Sequence, residues 1–131
     1  MIVLDASVLI AHLDERDAQH ERAVERLLEL VEQPLACSTI TLAEVLVGPA
    51  RHGRLDEARE AIDEVGVIEM TLAVHAAERL ALLRAETSLK LRDCCVLMAA
   101  EDARAASVLT FDDRLARAAM QLGFDAGGLE P

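Results

Sequence analysis

Met1-Ile2-Val3-Leu4-Asp5-Ala6-Ser7 opens the chain with four apolar residues, then a carboxylate and, two residues on, a hydroxyl. An apolar run without polar alternation is the pattern of a strand covered on both faces, and such strands belong to parallel sheets. Ser7 to Leu13 then reads as a helix. The same unit recurs along the chain. Leu35 to Ser38, Val67 to Met70 and Ser107 to Phe111 are strand-like, and helical stretches separate them. A helix is expected from about Asp17, where Val24, Leu27, Leu28 and Val31 follow helical spacing. A second, capped by Thr39 or Thr41, carries Glu44 and is expected to stop near Gly48-Pro49. Leu55 to Val65, about Leu72 to Ser88, and a segment starting at Asp93 are the next three. A last helix passes Leu115, Ala118, Ala119 and Leu122, and the tail from Phe124 to Pro131 is expected to add a short strand.

Strands alternating with helices make βαβ units. The expectation is an α/β fold: a three-layer α/β/α sandwich around a central, mainly parallel sheet of four to five strands, with residues 1–131 as a single domain.

Composition sets the outer bounds. Hydrophobic residues are 53% of the chain, which excludes a disordered tail too poor in apolar surface to fold. No run of about 18 apolar residues is free of charge, so no membrane contact is expected. No secretory leader is expected either, which points to the cytoplasm. Trp and Tyr are absent and Phe occurs twice, so the core must be built from Leu, Val, Ile and Ala. Cys37, Cys94 and Cys95 form no CxxC pair and read as small apolar fillers in a reducing compartment. His12, His20, His52 and His75 have no metal-ligand spacing.

The formal net charge is −11, which argues against holding nucleic acid by bulk electrostatics. Either the partner is basic, or the acid is concentrated where it recruits metal cations. In a parallel sheet, ligands bind outside the carboxyl ends of the strands. Asp5 ends the first strand and Asp112 follows Val108-Leu109-Thr110. If those strands are neighbours, both carboxylates reach one rim, and Asp93 at a helix start can point to it. Glu44 lies in a helix of Leu42, Val45 and Leu46, where a charge must be paired or bind a metal. Taken singly, Asp93 and Asp112 are explained as helix caps, Asp5 as an acceptor for the next helix, and Glu44 as a surface acid. Taken together, four such accidents at one site are a poor account. Clustered carboxylates raise one another's pKa and call for a hard cation, Mg²⁺ or Mn²⁺. Ser7 and Thr110 stand beside this rim as supporting hydroxyls. No GxGxxG, GxxxxGK[ST], HExxH or GxSxG motif competes.

These segments resemble the PIN-domain ribonucleases, and within them the VapC-type toxins of bacterial toxin–antitoxin pairs. Met1 to Ala11 is similar to that family's opening strand and acidic motif, and Ser38 to Glu44 to its second motif. Arg92-Asp93 with the small and apolar residues to Ala100 resembles the third, and Leu109-Thr110-Phe111-Asp112-Asp113 the fourth. The resemblance implies an endoribonuclease dependent on Mg²⁺ or Mn²⁺ that cuts single-stranded or loop RNA. It also implies a homodimer inhibited by a cognate VapB-type antitoxin. Asp5, Glu44, Asp93 and Asp112 become its acidic quartet, with Asp113 a possible additional acid. Arg51, Arg54, Arg114 and Arg117, together with His52 and Arg59, are the candidate RNA contacts. A catalytically silent binding module of the same fold and a metal-dependent DNA nuclease remain the alternatives.

Overall fold

The computed structural model describes residues 1–127. Its first half runs β1 (Ile2–Leu4), α1 (Ala6–Leu13), α2 (His20–Glu29), β2 (Leu35–Ser38), α3 (Thr39–Arg51), α4 (Leu55–Val65) and β3 (Val67–Met70). Its second half runs α5 (Ala76–Thr87), α6 (Leu91–Asp102), β4 (Ser107–Leu109), α7 (Asp113–Gln121) and β5 (Asp125–Gly127). The five strands form one sheet in the order β3-β2-β1-β4-β5, every neighbouring pair parallel. The remainder of the expected last strand, residues 128–131, lies outside the described residues.

Alternation along β1 divides the core. Ile2 and Leu4 face one layer with Val8 and Leu9 of α1, Leu27 of α2, Leu42 and Val45 of α3 and Ile62 of α4. Val3 faces the other with Leu83 of α5, Val96 and Leu97 of α6, and Leu115 and Ala119 of α7. A strand buried on both faces has no polar side to show, which is why its sequence reads as an unbroken apolar run. All three cysteines are free and buried, Cys37 in the first layer and Cys94 in the second. Burial, helped by the Glu69 carboxylate, pushes the Cys37 thiol up to about 11, so it stays a neutral filler.

Several helix ends differ from expectation, each for a local reason. α2 begins at His20, because the Asp17 carboxylate accepts the Gln19 amide at 2.8 Å and holds a turn. Ser38, not Thr39 or Thr41, caps α3: its hydroxyl accepts the Ile40 amide at 3.2 Å, while the Thr39 hydroxyl donates to Glu69 on β3 at 2.8 Å. α3 continues through Gly48-Pro49 to Arg51. A proline this near the end costs only one helical bond, and the His52 ring bonds the Gly48 carbonyl at 2.9 Å. α5 starts at Ala76 rather than Leu72. α6 starts at Leu91 with Lys90 as its N-cap residue, so Asp93 stands inside the first turn and is not the cap. β4 stops at Leu109 because the Phe111 amide turns to the Ser7 hydroxyl instead of the sheet.

Candidate active site

The strand order reverses between β1 and β4, and crevices open at such switch points outside the carboxyl ends of the strands. Leu4 pairs with Leu109, so Asp5 and Thr110 leave the sheet side by side. The Asp5 amide still donates to the Leu109 carbonyl at 2.9 Å. Asp5 is only 7% exposed. It sits at the N-cap position of α1, yet its side chain makes no capping bond. Instead its Oδ2 accepts two hydroxyls, Ser7 and Thr110, each at 2.8 Å. Each hydroxyl also accepts one amide: Ser7 from Phe111 at 3.1 Å, Thr110 from Asp112 at 2.9 Å. With an amide on each hydroxyl oxygen, both hydroxyls donate to Asp5, which serves as the acceptor of the pair of bonds. Both bonds go to Oδ2; neither engages Oδ1.

Asp112 is exposed and caps α7, its Oδ1 accepting the Arg114 and Leu115 amides at 2.9 and 3.3 Å. Capping and a place at the rim coexist. Asp93 is half-buried, and burial, followed by the charges of Asp5 and Asp112, raises its pKa above the ordinary carboxylate value. Glu44 is half-buried as well; burial raises its pKa, the Arg92 guanidinium lowers it, and Asp5 and Asp93 raise it again. Asp5 thus bears on both Glu44 and Asp93, and Asp112 bears on Asp93, around a single rim. Asp113 turns away and pairs with Arg117 one helical turn on.

Among the described residues no three His, Cys, Asp or Glu side chains are gathered closely enough to hold a metal as they stand. Glu44 is instead in an ion pair with Arg92, 3.6 Å from Nε. The donor chemistry nonetheless fits a hard divalent cation. It is all carboxylate oxygen, it is burdened by its own repulsion, and it has no thiolate or imidazole to favour zinc.

The sequence matches the PIN domain over residues 2–120. The chain belongs to the PIN-domain family. PIN domains are typically nucleases, and PIN nucleases generally use divalent metals. No curated protein sequence matches the chain. Among solved structures, a chain of a toxin–antitoxin complex from Klebsiella pneumoniae is 27% identical, with 86% of this chain and 87% of that one covered and a TM-score of 0.67. The Mycobacterium tuberculosis toxin VapC20, described as a Sarcin-Ricin loop cleaving toxin, is 18% identical over 95% of this chain and 96% of its own, TM-score 0.75. FitAcB from Neisseria gonorrhoeae is 22% identical over 96% of each chain, TM-score 0.71. The PIN fold of this chain is therefore that of VapC- and FitB-like proteins.

Of the candidate RNA contacts, Arg117 is tied to Asp113, and Arg59 lies 3.8 Å from Glu69. Arg51, Arg54 and Arg114 are exposed. Three features escaped the sequence reading. The Arg92–Glu44 pair joins α6 to α3 inside the acid cluster. Arg22 of α2 lies over the Phe111 ring, 5.1 Å from its centroid, beside Asp112. A cavity of about 870 Å³ opens between α1 and α3 with Glu44 in its wall. The only prior signal was Glu44 itself, since each pairing joins segments far apart in sequence. No helix among the described residues is long and apolar enough to cross a membrane.

Proposed function

We propose that residues 1–131 act as one PIN-like nuclease domain, an endoribonuclease dependent on Mg²⁺ or Mn²⁺ that hydrolyses phosphodiester bonds of single-stranded or loop RNA. In this reading it is the cytoplasmic toxin of a toxin–antitoxin pair, a homodimer silenced by a cognate VapB-type antitoxin. The observation that carries the proposal is the pairing of Leu4 with Leu109, which brings Asp5 and Thr110 out of the sheet side by side at the switch point, where the Asp5 charge reaches both Glu44 and Asp93. The resemblance to toxin structures supports it.

Asp5, Glu44, Asp93 and Asp112 would hold the ion. A divalent cation so held acidifies water and stabilises charge on a phosphodiester. Ser7 and Thr110 fix the orientation of the Asp5 carboxylate. Asp112 keeps its carboxylate at the rim because α7's first amides anchor it. Glu44 would have to exchange Arg92 for the ion, and an antitoxin arginine or lysine would silence the site by taking the same place.

Purified protein incubated with single-stranded RNA and with single-stranded DNA of the same sequence tests this. RNA should be cut with Mg²⁺ or Mn²⁺, spared in EDTA and poorly cut with Zn²⁺. Cleavage that persists in EDTA would overturn the metal role. Cutting of DNA alone would establish the DNA nuclease, and cutting of neither would establish the silent module.

A further inference from the structure

Glu44, Gly48 and His52 recur every four residues, so they form a row along one face of α3. At the helical rise the row is about 12 Å long. All three line the cavity between α1 and α3, with Ile10 and Leu13 of α1 and Val45 and Pro49 of α3 supplying apolar wall. One end of the row belongs to the acid cluster. The other ends in His52, with Arg54 beside it. Asp14, Glu15 and Arg16 also line this cavity, Asp14 and Arg16 paired with each other at 3.5 Å and Glu15 adding a further acid, so fixed charge alone would hold a polyanion there poorly.

Gly48 is unexplained by folding. A Cβ built there meets nothing within 4 Å, and its backbone is helical rather than left-handed. Glycine is a poor helix former, so alanine would serve α3 better. Gly48 lines the groove, and the space beside its Cα is open. Pro49, next in line, has no N–H, so the Val45 carbonyl receives no helical bond from that position.

We propose that this groove is a nucleobase pocket: it takes a base of single-stranded RNA flanking the phosphodiester at the acid cluster, with the next phosphate at His52 and Arg54. The inference rests on the ribonuclease reading and deepens it. The order of surfaces (acid cluster, apolar wall, cationic end) matches the order phosphate with its metal, base, phosphate along a strand. A volume of about 870 Å³ is ample for a nucleoside. A chain of charge −11 then gains its hold on RNA from base burial rather than from many phosphate contacts, and its affinity depends only weakly on salt.

Fluorescence anisotropy with a labelled, phosphorothioate single-stranded RNA in Mg²⁺ tests the pocket without cleavage. Gly48→Trp should weaken binding about tenfold or more, and Gly48→Ala by less. Leu28→Trp, at an exposed position of α2 outside the groove, should bind like the wild type. Scanning abasic positions through the RNA against the wild-type protein should reveal one whose loss costs as much, with no further loss when combined with Gly48→Trp. A folded Gly48→Trp protein that binds normally overturns the pocket, as does a flat abasic scan or a wild type that does not bind. Normal RNA binding with altered self-association would give the groove to a second protein chain. The nuclease reading fails separately: base-dependent binding without Mg²⁺-dependent cleavage of ordinary RNA refutes that reading and leaves the pocket standing.

Discussion

The two sides of the acidic rim are built on opposite terms. On one, Asp5, Glu44 and Asp93 are buried or half-buried, and burial raises the pKa of Glu44 and Asp93. On the other, Asp112 and Asp113 stand in solvent, one satisfied by two helix amides and one by an arginine. The second side would persist in any protein that needed a capped helix. The first has no folding rationale, because clustering desolvated like charges opposes folding. Carboxylates whose local environment is unfavourable are where a ligand has most to gain.

Substitution should break this contrast most visibly in activity. Asp5→Asn should lower Mg²⁺-dependent RNA cleavage by more than about 100-fold, whereas Asp113→Asn should leave it within about twofold, since it loses one exposed ion pair. Initial rates on one RNA substrate decide this, and equal losses would erase the distinction between the two sides.

A smaller effect separates structure from chemistry at Asp112. Asp112→Ala removes the α7 cap and should cost about 1 kcal/mol in a urea titration, while Asp112→Asn, which can still accept those amides, should keep most of that stability and lose cleavage. If both variants were equally unstable and equally active, Asp112 would be a cap alone.

The smallest expected shift has the opposite sign. Asp93→Asn should raise the melting temperature of the metal-free protein by about 2–4 °C at neutral pH. The Asp93 pKa is raised above 3.8 and that of Glu44 above 4.5. Their protonated forms therefore favour the fold at low pH, and that contribution is lost as pH rises through the raised values. The gap between variant and wild type should open over that rise and narrow when Mg²⁺ is added. A gap independent of pH would mean that Asp93 bears no repulsion.

How much of this was legible in the chain depended on the range of the forces involved. The strands were readable because double-sided burial leaves a local apolar run, and Asp5 and Asp112 because they follow such runs directly. Helix ends were less so: Lys90 caps α6 with no capping side chain to mark it, and α3 passes through Gly48-Pro49 because its late proline forfeits a single bond. The groove, the Arg92–Glu44 pair and the Arg22–Phe111 contact were illegible. Each is made by helices or loops that meet only after the sheet has brought them together.

The hydroxyl of Thr110 reaches back 105 positions to Asp5. During synthesis Asp5 is made 105 residues ahead of its fixing partner. At about 5–20 residues per second the interval between them is roughly 5–20 s. For that time β1 lacks its β4 neighbour and the acidic rim does not exist, although α1 to α4 and their core layer have already been made. The setting of Asp5 therefore waits on Thr110, and truncation anywhere before Thr110 yields a chain in which that carboxylate lacks one of its two hydroxyl partners.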